Sequence, residues 1–186
     1  IMIEFACNDG VSVLETESYE GVIYRALTAK NNPAVMLFYF CRNDGGNSQA
    51  VEIPVGLKYD PPMISYANWF KQAAKDGILT WEDISPDVVH PNDRGHGIAA
   101  SLIIHRLELV RANLDKIDRT DQPVPETESR FVNQQLKNSK NFTPISSGSF
   151  VHAEKQYYTF ESLSNGWVAE AGNTEPLVFE TDSKAV

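Results

Sequence analysis

An acid and an imidazole stand three positions apart in this sequence, as Asp87 and His90. Serine hydrolysis needs such a pair, because the imidazole takes the proton of the nucleophilic hydroxyl and the carboxylate fixes and stabilises the imidazole. Pro86 and Pro91 restrict the backbone on either side, which predicts a fixed loop rather than a helix. From the local sequence alone, the alternative that His90 is an ordinary loop histidine bonded to a carbonyl group stays open.

The segments that precede this loop alternate between strand-like and helix-like patterns, as in α/β proteins. Apolar stretches predict strands at 1–7 and 34–41, and the nearly continuous apolar character of the second suits a parallel strand covered on both faces. Helices are predicted over 16–31, 48–58 and 65–76. The first helix is expected to begin near Thr16 or Ser18. Residues 78–81 are predicted as a short strand or an extended piece.

The most regular helical pattern follows the candidate loop, over residues 94–117. Apolar side chains recur there at intervals of four and three, at Ile103, Leu107, Val110, Leu114 and Ile117. Such a stripe is expected to pack against the sheet, and Asn92 or Asp93 can cap the helix where the loop ends. The helix should therefore hold the candidate loop beside the edge of a sheet.

A metal site is the other chemistry that this segment offers. Its candidate ligands are of types that suit zinc or iron, namely Asp87, His90, Asp93 and His96. Because the following helix turns these side chains to different sides, we favour the hydrolase interpretation and expect neither a metal nor a cofactor.

The pattern of the chain changes after Asp118. Residues 118–128 are polar and contain two prolines, which is typical of a connector. A short helix is predicted over 130–137. Short aromatic-rich strands follow, and they are predicted at 150–151, 157–160, 166–168 and 177–180. We therefore expect three parts, which are 1–117, a connector over 118–145, and the start of a β-sandwich-like module over 146–186.

The composition limits the classes of partner. Acidic residues outnumber Lys and Arg by 25 to 16, which gives a formal charge of −9. That balance disfavours nucleic acid and anionic membrane surfaces, whose phosphates need cations, and no run approaches the roughly 18 apolar residues that cross a bilayer. Cys7 and Cys41 are too few for a disulfide framework, so they are either two buried thiols or one bridge between neighbouring strands. The cellular compartment stays open.

Two blocks of this sequence together resemble the SGNH/GDSL hydrolase family. Asp87 to Pro91 resembles the last conserved block of that family, which reads Asp-x-x-His-Pro and continues into a helix. Ala6-Cys7-Asn8-Asp9 resembles the Gly-x-Asn-Asp block, which directly follows a core strand. The order of the blocks and the α/β pattern match over residues 1 to about 115. The resemblance implies a flavodoxin-like domain with three layers, α/β/α.

The resemblance also implies roles for individual residues. His90 would be the general base, Asp87 would orient it, and the side-chain amide of Asn8 would donate to the oxyanion. The chain departs from the family at Ala6, where a glycine is usual, and it has no Gly-Asp-Ser block to carry the nucleophile. We therefore expect it to be the C-terminal part of the catalytic domain. An N-terminal fragment of the same protein would supply the serine and the first strands.

The function implied is hydrolysis of small acyl esters through a covalent acyl-enzyme. A catalytic domain of this type followed by a β-sandwich-like module resembles bacterial carbohydrate esterases, so the expected substrate is an acetylated carbohydrate. The alternative is a non-catalytic glycan-binding or scaffold protein that retains the esterase fold. These alternatives predict different residues at the position of the nucleophile.

Overall fold

The structure is a computed structural model that describes residues 1–116, 124–135, 137–153 and 165–181. The chain divides into two compact units, Ile1–Asn133 and Gln134–Val186. The first unit is a mixed α/β structure with a parallel sheet, so the predicted fold class is confirmed at that level. The division into 1–117, 118–145 and 146–186 stays a prediction.

Three parallel strands form the sheet of the first unit, in the order β1-β2-β3. They are β1 (Met2–Ile3), β2 (Met36–Tyr39) and β3 (Met63–Ser65). Helix α1 (Val13–Leu27) connects β1 to β2, and α2 (Gln49–Tyr59) connects β2 to β3. Parallel neighbours need crossover connections of this kind, and the result is that the loops after β1 and β2 leave the sheet at the same edge.

Helices cover both faces of this sheet. Side chains alternate along β2, so Leu37 and Tyr39 pack with α1 and α2 while Phe38 packs with the later helices α3 (Tyr66–Lys75) and α4 (Asp93–Ala112). The nearly continuous apolar run of β2 is therefore explained by burial on both sides.

The first helix begins earlier than the sequence pattern predicted. Ser12 is its cap, because the Ser12 hydroxyl accepts from the Glu15 N–H at 3.3 Å and the Glu15 carboxylate accepts from the Ser12 N–H at 3.0 Å. This reciprocal pair is a capping box. The helix therefore starts at Val13 rather than near Thr16 or Ser18.

The third strand was missed, and the extended piece at 78–81 forms no strand in the described structure. Met63–Ser65 is only three residues long and runs directly into α3, whose cap is Ser65. The Ser65 hydroxyl accepts from the Asn68 N–H at 3.0 Å. A strand this short has too few residues for its alternation to be recognised.

The apolar stripe predicted for α4 packs on the core at its start, so the prediction that all of it covers the sheet is wrong. Ile103 packs against the core, whereas Leu107 and Leu114 are exposed. A helix of 20 residues is about 30 Å long at about 1.5 Å per residue, so it extends well past the short strand β3. Ile117, the last member of the predicted stripe, lies outside the described residues.

The second unit contains a small antiparallel sheet of β4 (Val151–Ala153) and β5 (Gly166–Val168). Ser146 and Val178 add an isolated antiparallel bridge. The strand predicted at 157–160 lies outside the described residues, and the description of this region as a β-sandwich stays a prediction. Residues 130–133 form a turn instead of the start of the predicted helix. Within the described ranges, every helix is too short or too polar to cross a membrane.

Candidate active site

The Asp87 carboxylate organises the candidate loop and contacts the imidazole at the same time. Its Oδ1 accepts from the N–H groups of Val89 at 2.8 Å and His90 at 2.7 Å. Its Oδ2 lies 2.9 Å from His90 Nδ1. The backbone N–H groups of His90 and Val89, followed by the His90 ring, lower the pKa of Asp87 to about 2. The acid is therefore ionised over the whole neutral range.

This geometry fixes which ring nitrogen of His90 can act as a base. When Nδ1 carries the proton that it donates to Asp87, the lone pair of Nε2 on the opposite side of the ring accepts a proton. The His90 side chain is 78% exposed and that of Asp87 is 47% exposed. The structure thus brings Asp87 and His90 together as a carboxylate–imidazole pair. The Nε2 of His90 can accept a proton from a group outside the loop.

Ser85 and Trp81, which the sequence did not single out for this role, fix the loop by hydrogen bonds to its backbone. Ser85 is buried, and its hydroxyl lies 2.8 Å from the Asp87 carbonyl and 2.7 Å from the His90 carbonyl. The Trp81 indole N–H donates to the Asp87 carbonyl at 2.5 Å. Ser85 stands directly before Pro86, but only the tertiary structure reveals that it is buried and bonded to both ends of the turn.

The end of the loop is fixed by the start of α4. Asn92 is the cap, because its side chain accepts from the Gly95 N–H at 3.0 Å while its own N–H donates to the Ile84 carbonyl at 2.9 Å. A Cβ on Gly95 would lie 2.4 Å from the Ile84 oxygen. Glycine at this position therefore lets the helix approach the loop closely enough for Asn92 to tie the two together.

Asn8 lies on a separate tight turn after β1, where it is exposed. The Phe5 carbonyl accepts from the N–H groups of both Asn8 and Asp9 at 2.8 Å. The Glu4 carboxylate accepts from the Ala6 N–H at 3.1 Å and from the Phe40 N–H at 3.3 Å, and so it ties the ends of β1 and β2 together. The candidate oxyanion donor is thus carried by a turn anchored at the carboxyl end of the sheet.

The loop over residues 42–48 connects the two candidate loops. The Asn43 N–H donates to the Val88 carbonyl at 3.0 Å, and the Ser48 N–H donates to the Ala6 carbonyl at 2.8 Å. In parallel α/β sheets this carboxyl edge is the usual place for a ligand site. The glycines of residues 42–47 predict a loop there, but no local pattern indicates that it contacts both other segments.

The two cysteines stand near this edge as free thiols, so the bridge that the sequence left open is not formed. Cys41 is buried and Cys7 is partly buried. Burial raises the pKa of Cys41 to about 12 and the pKa of Cys7 to about 11. Both side chains are therefore thiols at neutral pH, whereas thiolate is the nucleophilic form. In the described part of the chain, His, Cys, Asp and Glu side chains form no group of three or more that could hold a metal ion.

Comparisons with known proteins identify similar structures but no family. No model of a known protein family matches the chain, and no curated protein sequence matches it significantly. A crystal structure of a two-domain esterase (CEX) active on acetylated mannans, co-crystallised with mannopentaose, is similar with a TM-score of 0.73 and 26% identity. That match covers 90% of this chain and 45% of the esterase chain.

A second crystal structure of a two-domain esterase (CEX) active on acetylated mannans gives the same result. Its TM-score is 0.71 and its identity 25%, and the match covers 90% of this chain and 46% of that chain. This chain therefore resembles a region that makes up somewhat less than half of a two-domain esterase.

Proposed function

We propose that this chain is the C-terminal part of the catalytic domain of a serine esterase of the SGNH/GDSL type, followed by the start of a β-sandwich-like module. The observation that carries the proposal is the contact between Asp87 Oδ2 and His90 Nδ1, at 2.9 Å, on a loop tied through Asn43 and Ser48 to the Asn8 turn. The similarity to esterase structures supports the same conclusion.

The chemistry follows from the positions of these side chains. A serine hydroxyl from a segment outside these residues gives its proton to His90 Nε2 and attacks the ester carbonyl, while Asp87 stabilises the imidazolium. The Asn8 amide donates to the oxyanion of the tetrahedral intermediate. The alcohol leaves with the proton from His90, and water then hydrolyses the acyl-enzyme by the same base.

The free edge of β1 offers a place for the segment that carries the serine. In the described residues β1 pairs only with β2, and Ile1 and Met2 are exposed. A further parallel strand added to this edge would end beside the Asn8 turn, because parallel strands have their carboxyl ends at the same edge. The additional strand would extend the three-stranded sheet toward a flavodoxin-like sheet and remove an exposed strand edge.

The proposed substrate is an acetyl ester on a carbohydrate. The similar esterases are active on acetylated mannans. Their chains are more than twice as long as the region that matches this chain. A neutral acetylated glycan needs no basic surface, which agrees with the net charge of −9. The substrate class is assigned to this protein by analogy with the architecture of those esterases, so it needs its own assay.

The experiment compares the full-length protein with its His90→Ala variant on an aryl acetate and on acetylated mannan. His96→Ala is the matched control, since His96 is an exposed histidine six positions further along the chain. Loss of the base should lower kcat by at least about a thousandfold, and His96→Ala should act like the wild type. Equal turnover of His90→Ala and wild type would contradict the proposal. Binding of mannan without any turnover would instead favour a non-catalytic glycan-binding protein.

A further inference from the structure

A buried acid lies behind the turn that carries Asn8. Glu52 on α2 and Ser48 at its start are each 1% exposed. The Ser48 hydroxyl lies 2.5 Å from Glu52 Oε1 and 3.1 Å from the Ala6 carbonyl, which also accepts the Ser48 N–H at 2.8 Å. These contacts form a continuous path from the Glu52 carboxyl group to the peptide that begins the turn.

The number of protons on this path determines how it can work. The Ser48 hydroxyl has one proton and two acceptors within reach, Glu52 Oε1 and the Ala6 carbonyl. An ionised Glu52 can only accept, so it takes that proton away from Ala6. A protonated Glu52 donates to the Ser48 oxygen instead, and the Ser48 hydroxyl is then free to donate to Ala6. Only the neutral acid satisfies both contacts.

The surroundings of Glu52 favour the neutral form. Its second oxygen, Oε2, is buried and has no hydrogen-bond partner in the described part of the chain. Burial of an ionised carboxylate without a partner is costly. Burial raises the pKa of Glu52 to about 7, and the negative charges of Asp9 and Glu4 act in the same direction, against the opposing hydrogen bond from Ser48.

The other titratable groups that interact with Glu52 come from the three elements packed around it. They are Glu4 and Cys7 after β1, Asp9 in the following turn, Tyr19 on α1 and Tyr39 on β2. All of these groups are neutral or negative, so none of them stabilises the ionised form of Glu52. Ionisation of Glu52 is therefore shifted from the ordinary range of a glutamate toward neutral pH.

We propose that Glu52 is a positioning residue for the oxyanion donor: as a neutral acid it donates to Ser48, whose hydroxyl holds the Ala6 carbonyl and so fixes the turn that presents Asn8. This inference rests on the proposed roles of Asn8 and His90. Ionisation of Glu52 withdraws the Ser48 hydroxyl from Ala6. A displacement of about 1 Å in a catalytic group can cost up to about a hundredfold in rate.

The test is the pH dependence of kcat and KM for the full-length protein and for Glu52→Gln. Because deprotonation of the general base raises kcat in every variant alike, the quantity compared is the ratio of kcat to that of Glu52→Gln at each pH. For the wild type this ratio should fall by about tenfold between about pH 6 and about pH 9 with little change in KM, because a misplaced oxyanion donor weakens the transition state more than substrate binding. A glutamine donates an N–H to Ser48 at every pH, so Glu52→Gln is the reference that lacks this fall. Glu108→Gln, on an exposed site of α4, should keep it.

Ser48→Ala provides a second variant that interrupts the same path at its middle. It should lower kcat at about pH 6 by about tenfold and keep a constant ratio to kcat of Glu52→Gln at every pH, because Ala6 then has only the backbone donor. A ratio of wild-type kcat to kcat of Glu52→Gln that stays constant with pH would overturn the inference.

A spectroscopic measurement separates this inference from the proposed function. Infrared difference spectra of the full-length wild type should contain the carbonyl band of a protonated carboxylic acid near pH 6, and Glu52→Gln should lack it. Absence of that difference would contradict a neutral Glu52 even if the ester assay succeeds. An inactive wild type that retains the band would contradict the esterase while leaving the neutral acid established.

Discussion

Asp87 and Glu52 are two carboxylic acids that contact neighbouring loops and whose pKa values are shifted in opposite directions. Asp87 lies on an exposed loop, accepts two backbone N–H groups and the imidazole, and has its pKa lowered to about 2. Glu52 is buried and has one hydroxyl partner and an unpartnered oxygen, and its pKa is raised to about 7. The number of donors around each acid and its access to water decide which form is stable.

One edge of a sheet can therefore use two acids for two tasks. An ionised acid orients a base and stabilises its positive charge, which is the proposed role of Asp87. A neutral acid donates a hydrogen bond, which is the proposed role of Glu52. Replacement of Asp87 by asparagine should therefore have a very different consequence from replacement of Glu52 by glutamine.

Asp87→Asn should have the largest effect. The amide can still accept the N–H groups of Val89 and His90, but it favours the wrong tautomer of the imidazole, and kcat should fall by roughly ten-thousandfold. Steady-state kinetics of the full-length protein on an aryl acetate measure this, with Asp93→Asn as the control on the exposed first turn of α4. A loss of less than tenfold would mean that Asp87 only shapes the loop.

Asn8→Ala should have the next largest effect, since it removes the donor that Glu52 is proposed to position. Loss of one oxyanion donor should lower kcat by about 100- to 1,000-fold with little change in KM. Asn113→Ala at the far end of α4 is the control. If KM rises while kcat is retained, Asn8 binds substrate instead of stabilising the transition state.

The stability of the protein should depend on pH through Glu52. The folded pKa of about 7 lies above the ordinary value of 4.5. The contribution of protonated Glu52 to the stability of the folded protein is therefore complete below pH 4.5, and it is lost as the pH rises through about 7. Between about pH 5 and about pH 8 the free energy of unfolding of the wild type should fall relative to Glu52→Gln by on the order of 2 kcal/mol. Urea denaturation of both full-length proteins measures it, and parallel curves would show that Glu52 does not titrate there.

The smallest effect is expected from two glycines of α4. Gly95→Ala places a Cβ against the Ile84 oxygen and should destabilise the protein by about 2 kcal/mol and disturb the Asp87 loop. Gly97→Ala meets nothing within 4 Å and should stabilise by about 0.5 kcal/mol. Thermal unfolding compares them, and equal melting temperatures would mean that the contact of α4 with the loop does not matter.

The sequence predicted those parts of the site that are local. Asp87 and His90 are three residues apart between two prolines, so their contact follows from a single turn. The apolar run of β2 and the helical periods around it are also local patterns, and they predicted a parallel α/β sheet. The bounds of α1 shifted because Ser12 forms a reciprocal cap with Glu15, which competed with the other hydroxyl residues nearby.

The parts that the sequence did not predict depend on contacts between distant residues. Ser48 meets Ala6 across 42 positions, and no local pattern connects them. A glutamate in a helix is normally exposed, so the burial of Glu52 and its raised pKa follow only from the packing of α2 against the sheet. The exposed second half of α4 was missed for the same reason, because its periodicity does not reveal how short the adjacent strand is.

The pairing of His90 with a serine from another segment can be tested by labelling the full-length protein with a serine-reactive aryl phosphonate and locating the adduct by mass spectrometry. We expect one modified serine, outside these 186 residues, and we expect His90→Ala to abolish the modification. An adduct on a serine within these residues, or equal labelling of the wild type and His90→Ala, would contradict it.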